Sequence, residues 1–229
     1  TLCPYTTLFR SGALLLCVAA LIFSMMHVPS LHQPRARFVV RKRFSLYYLL
    51  ELLFGARKQI FITFGPWVLI KIYGLNADAV AGLIMTSAVI GILFKPLAGL
   101  AIDYFGERIV MMVEGIVFIF VCAGYGYALP ITGSPHYALY LASACYILDD
   151  MLFGLSTART IYLSRITESP QELNSSLALG ISINHIVSMT IPIMAGYIWD
   201  TFGYERLFLA GAVLAVTIAC ASSFTPKKK

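Results

Sequence analysis

The sequence predicts an all-α integral membrane protein, and three observations carry that prediction. Hydrophobic residues make up 59% of the chain and charged residues only 12%, against about 25% charged in an ordinary soluble domain. Mean hydropathy is +0.81. The apolar residues gather into about seven stretches, each approaching or exceeding the roughly 20 residues that a helix needs to cross about 30 Å of hydrocarbon. Period-2 alternation is absent, which argues against a membrane β-barrel. Runs such as "GIVFIFVCAGYGYAL" and "LFLAGAVLAVTIACA" have no polar stripe, so a soluble helical bundle is excluded as well.

In chain order, residues 1–11, "TLCPYTTLFRS", are polar and patternless. They lack the basic region, apolar core and small-residue cleavage site of a signal peptide. They resemble the conceptual translation of a sequencing-library adaptor, TLFPYTTLFRS, with Cys3 as the difference. Residues 1–11 are therefore expected to be an adaptor-derived artefact, with natural sequence missing upstream. Spans are expected at 12–29, 45–72, 79–102, 108–129, 137–160, 173–199 and 204–224. A basic stretch, "LHQPRARFVVRKRF", occupies 30–44. Turns are expected at "YGLNADA", "PITGSPH" and "TESPQE", which are rich in Gly, Pro, Asn and Ser.

Lys and Arg are enriched in cytoplasmic loops. With 30–44 inside, the inside segments hold Arg35, Arg37, Arg41, Lys42, Arg43, Arg108, Arg159, Arg165 and the tail Lys227, Lys228 and Lys229, while Arg206 is alone outside. The C-terminus is thus expected in the cytoplasm, and the localisation expected is a bacterial inner (plasma) membrane. The net charge of +6 is explained by inside loops facing anionic lipid, so no nucleic-acid partner is inferred. Cys17, Cys122, Cys145 and Cys220 fall inside spans, at spacings that suit neither zinc nor a disulfide framework. They are read as packing residues. No metal, cofactor or catalytic residue is expected, and no G-x-x-x-x-G-K-[ST] loop for ATP occurs.

One polar phrase interrupts the apolar pattern and returns. Gly99, Asp103, Gly106 and Arg108 form G-x-x-x-D-x-x-G-x-R between the third and fourth spans, within "GLAIDYFGER". Gly196, Asp200 and Gly203 repeat G-x-x-x-D-x-x-G between the sixth and seventh, with Phe105 and Phe202 in register. Three spans separate the copies, so they lie on opposite membrane faces, as in the inverted three-helix repeats of secondary transporters. The glycines are expected to allow close helix approach and tight turns. The aspartate is expected beside a helix N-terminus or a basic partner.

On "GLAIDYFGER" and "PIMAGYIWDTFGYERLF", with Tyr104 and Glu107 standing where the family often has basic residues, the chain resembles the major facilitator superfamily over about residues 12–226. The resemblance implies a helical bundle of that superfamily's kind. Residues 12–29 would be the last helix of an N-terminal half, 30–44 the cytoplasmic inter-half linker, 45–226 a six-helix C-terminal half and 227–229 a cytoplasmic basic tail. It further implies a missing N-terminal half as partner, alternating access, a small-molecule substrate, and Arg159 as the partner of Asp103 in a conformational lock. A plain positive-inside anchor is the alternative role for Arg159.

Candidate site residues come from polar groups at membrane depth, where a charge costs at least about 2.5–3.5 kcal/mol and seeks a cavity or a partner. In the second span, Arg57 and Lys58 stand near the middle, with Glu51 on nearly the same helical face as Lys58. They either line a cavity or snorkel to the cytoplasmic interface. In the fifth, Asp149 and Asp150 lie roughly 18 Å in by helical rise. About 100° separates neighbours, so one is expected to face the cavity and the other to pair or be protonated. Their roles are proton coupling or a structural pairing with Arg57 or Lys58. In the sixth, Asn184 and His185 are central. His185 could relay protons or simply pack. Lys95 and Glu114 are expected to pair with one another at similar depth.

The function expected is proton-coupled secondary transport of a small solute, with an organic anion favoured by Arg57 and Lys58. Efflux of a drug or lipophilic cation by proton antiport is the alternative. In another class stand an intramembrane hydrolase, for which "LDDMLFG" supplies adjacent rather than facing carboxylates, and a non-transporting membrane sensor. No enzyme activity is expected.

Overall fold

A computed structural model describes residues 4–25 and 41–226. It is all helical, with no strand among the described residues. The chain divides into two units, Thr1–Ala36 and Arg37–Lys229. In the first, α1 (Pro4–Met25) begins earlier than the expected span. Proline is favoured at a first helical position, and the helix so started takes in residues 4–11 of the segment read as adaptor-derived. Positions 26–40 lie outside the described residues, as do 1–3 and 227–229. So the end of the first expected span, most of the basic linker and the basic tail are not described.

The second unit holds α2 (Ser45–Lys71), α3 (Ala77–Phe105), α4 (Glu107–Gly126), α5 (Ala128–Thr132), α6 (Pro135–Phe153), α7 (Thr157–Ile166), α8 (Pro170–Phe202) and α9 (Tyr204–Ser223). Five stretches among the described residues are long and apolar enough to cross a membrane: Ala77–Phe105, Glu107–Gly126, Pro135–Ile166, Pro170–Phe202 and Tyr204–Ser223. That is fewer than the seven expected. The apolar part of α1, Gly12–Met25, is short, and α2, although 27 residues long, carries Arg57, Lys58 and Gln59 at its centre.

Turn chemistry sets the boundaries. Ser134 and Ser169 precede helices that open on Pro135 and Pro170. Ser169 Oγ accepts from the Glu172 N–H at 3.2 Å, while Glu172 Oε2 accepts from the Glu168 N–H at 2.9 Å. This is a variant of the Ser-x-x-Glu capping box. The expected fifth span is interrupted by a 3₁₀ turn at Gly154–Ser156. Gly154 there packs against the Phe94 ring and Lys95 stem of α3.

Lipid offers little hydrophobic drive between helices, so they associate through small residues and polar bonds. Three pairings follow that rule. Between α4 and α9, a Cβ at Gly115 would lie 2.9 Å from Ala219, one at Gly211 would lie 3.2 Å from Cys122 Sγ, and one at Gly126 would lie 3.2 Å from Phe208. Residue numbers rise on one helix as they fall on the other, so this pair is antiparallel. Between α2 and α8, Gly180 faces Tyr47, and Asn184 faces Gly55 so closely that a Cβ there would meet the Asn184 carbonyl at 2.8 Å; this pair is parallel. Between α3 and α6, Gly91 faces Met151, and Gly154, just past the end of α6, faces Phe94; this pair is parallel too. Phe61 anchors the interior, with Phe118, Tyr125 and Phe208 edge-on at 5.0, 5.3 and 5.3 Å between ring centroids.

Candidate functional site

Arg57 is the largest of the fully buried side chains, with 1% of its surface exposed. It stands in mid-α2, where the helix has no water to offer a guanidinium, so its charge must be met by protein. Nη1 donates to Glu114 of α4, and Nη2 donates to Asp149 of α6 at 2.9 Å. Glu114 is shared: its other oxygen lies 3.5 Å from Arg159 Nη1 of α7. Arg159 Nε in turn donates to Glu51 of α2 at 3.3 Å. Asn184 of α8 extends the chain. Its amide donates to the Glu51 carboxylate at 3.2 Å and its carbonyl accepts from Lys58 Nζ at 2.9 Å.

The result is one connected network, Asp149–Arg57–Glu114–Arg159–Glu51–Asn184–Lys58, drawn from five helices. Glu51, Glu114 and Asp149 formally balance Arg57, Lys58 and Arg159. Aromatic faces cover what the carboxylates do not: Phe118 lies 4.2 Å from the Arg57 guanidinium and Phe54 lies 3.5 Å from that of Arg159. A charge pair buried in this way holds only while each member keeps its partners.

One cavity is lined by network residues and a larger one by the aspartate that follows Asp149. The first, of about 240 Å³, is lined by Glu51, Arg159, Asn184 and His185. The second, of about 620 Å³, lies between α3 and the α6–α7 break, with Lys95 on one wall and Asp150 on the other. The two neighbouring aspartates thus divide as the 100° between them dictates: Asp149 is buried on Arg57, and Asp150 is exposed on the larger cavity.

Several sequence expectations differ from this geometry. Glu114 joins Arg57 and Arg159, not Lys95, because α2 and α7 bring guanidiniums to α4 that α3 does not. Arg57 does not snorkel to an interface; it is enclosed, and its two terminal nitrogens meet two carboxylates. Arg159 is held by Glu51 and Glu114. Glu107 at the start of α4 pairs with Arg165 at 3.0 Å. Gly99 and Gly196 have open space where a Cβ would be, so they do not serve close packing. Gly106 and Gly203 are the turn glycines, with φ/ψ of 85/155° and 89/165°. They hold the same backbone region in both copies of the phrase. Asp103 and Asp200 are exposed near the ends of α3 and α8, and Arg108 is half-buried in the first turn of α4.

Glu107 and the central role of Glu114 escaped the sequence reading. The available signal was that each is a lone carboxylate next to or within an apolar run, which demands a cation; nothing local says which. At the start of the unit, Arg41 and Arg43 pair at 2.5 Å with Glu172 and Glu168. No group of metal-binding side chains occurs among the described residues. Comparison with protein families, curated proteins and solved structures finds no match for the chain.

Proposed function

We propose that this chain is the C-terminal half, with a preceding helix, of a secondary transporter of the major facilitator kind, moving a small solute by alternating access coupled to protons. The observation that carries the reading is the buried network. Intramembrane charges are costly and belong to pathways, relays and switches, and this network spans both helical triplets, α2–α4 and α6–α9. Protonating Asp149 or Glu51 would release one end of a guanidinium, giving the helices a reason to move when a proton binds.

The packing supports the inverted repeat. Exchanging α2, α3 and α4 for α6/α7, α8 and α9 turns the α2–α8 pair into α6–α3, both parallel, and maps the antiparallel α4–α9 pair onto itself. The matching turn glycines Gly106 and Gly203 fall at equivalent places under that exchange. In the membrane, α2, α4 and α8 then run one way and α3, α6/α7 and α9 the other, in agreement with the positive-inside orientation.

Since Arg57 is enclosed, the organic-anion reading needs its cation elsewhere, and Lys95 supplies one. A lipophilic-cation antiporter would use Asp150, but Lys95 across the same cavity opposes it. A hydrolase would need two carboxylates facing one another, whereas Asp149 is spent on Arg57 and Asp150 lines the larger cavity. Uptake by proteoliposomes holding the full-length protein, offered a pool of carboxylates, amino acids and amines, tests the reading. Uptake driven by an imposed pH gradient and abolished by a protonophore is the expected result. Gradient-independent leakage, or no uptake of any class, would count against it.

A further inference from the structure

The larger cavity carries two charges that the buried network leaves over. Lys95 is exposed on α3 and Asp150 is exposed on α6, both on the wall of the space of about 620 Å³, which is within the range of about 300–1,000 Å³ for small-molecule sites. Among the described residues neither has an ion-pair partner. A lysine and an aspartate left on one cavity at membrane depth are costly unless something meets them.

Their opposite charges on one cavity define what would. The α3–α6 register sets the Lys95 stem against Gly154, whose Cβ position lies 3.6 Å from Lys95 Cγ. Asp150 precedes Gly154 by four residues, one helical turn, or about 6 Å along the axis. Lys95 and Asp150 thus approach the same cavity within about one helical turn of each other. A group bound there must offer an anion to Lys95 and a donor cation to Asp150, side by side. Phe94 and Phe153 form the apolar remainder of the wall, suited to a ring or branched chain.

We propose that this cavity binds a small zwitterion of the α-amino-acid kind, its carboxylate on Lys95, its ammonium on Asp150 and an apolar side chain against Phe94 and Phe153. The proposal rests on the transporter reading for its purpose and names that reading's substrate class.

The test is equilibrium binding to the full chain in lipid nanodiscs, with three probes of one shape: L-phenylalanine, L-phenylalaninamide, which lacks the anion, and 3-phenylpropanoate, which lacks the cation. Phenylalanine should bind at least tenfold more tightly than either analogue. Lys95→Gln should bring it down to the level of the amide, and Asp150→Asn to the level of phenylpropanoate. The exchanged double variant Lys95→Asp/Asp150→Lys should keep the zwitterion preference, which guards against singles that fold poorly. Absence of saturable phenylalanine binding, three probes within threefold of one another, or binding indifferent to both substitutions would overturn the proposal. Zwitterion-selective binding without pH-driven flux would sink the transporter reading and leave the site. Flux indifferent to both residues would do the reverse.

Discussion

Replacing Glu114 by Gln tests the network where it is most connected. The side chain keeps its shape, so no cavity opens; what goes is the one charge that serves both Arg57 and Arg159. Glu114 is 2% exposed and Arg57 1%, so water cannot replace the lost carboxylate. Removing one partner of a buried pair costs about 3–5 kcal/mol. At about 2–4 °C per kcal/mol for a chain of this size, the melting temperature should fall by about 6–20 °C. The protein supplies its own reporters. Among the described residues Cys122 and Cys145 are buried and Cys17 and Cys220 exposed, so a thiol-reactive dye should reach Cys122 and Cys145 only on unfolding. Adding Arg57→Gln removes the opposite charge and restores formal balance, so the double variant should be less destabilised than the sum of the singles by at least about 1 kcal/mol. A melting point within 2 °C of the parent, as an order-of-magnitude threshold, or strict additivity, would refute the idea that these groups act as one unit.

Three further outcomes are expected. Gly106→Ala and Gly203→Ala should each destabilise by about 1–3 kcal/mol, since their backbone region is nearly glycine-only, while Gly99→Ala and Gly196→Ala, facing open space, should be neutral in the same dye assay. Gly115→Val should break the α4–α9 contact, where a Cβ already comes within 2.9 Å of Ala219, and size-exclusion profiles should shift to aggregate; a monodisperse variant of parental stability would contradict that packing. Single cysteines at Asn76 and Ser134 should label from outside intact cells and one at Ser169 only after permeabilisation, any reversal undoing the proposed topology.

Helix positions were legible in the sequence because apolar run length and turn residues are local signals: the expected 45–72, 79–102 and 204–224 lie within a few residues of α2, α3 and α9. The 3₁₀ break after Phe153 was not legible, since Gly154–Ser156 lies inside a continuous helical run with no proline to mark it. The site was half legible. That Arg57, Asp149 and Asn184 have polar work inside the bundle follows from their depth, and the division of labour between Asp149 and Asp150 follows from helical periodicity. Which carboxylate meets which guanidinium depends on how the helices are arranged, and no spacing along one chain encodes that. The pairing of Glu114 with Lys95 was therefore wrong for a physical reason: equal depth does not make neighbours.

The central claim is that a proton moves with the solute through the Asp149–Arg57 pair. Full-length protein in proteoliposomes loaded with a pH-sensitive dye should show solute-induced proton movement, and Asp149→Asn should retain solute exchange while abolishing that movement. Proton movement that persists unchanged in Asp149→Asn, or solute flux that never moves a proton in the parent protein, would contradict the account.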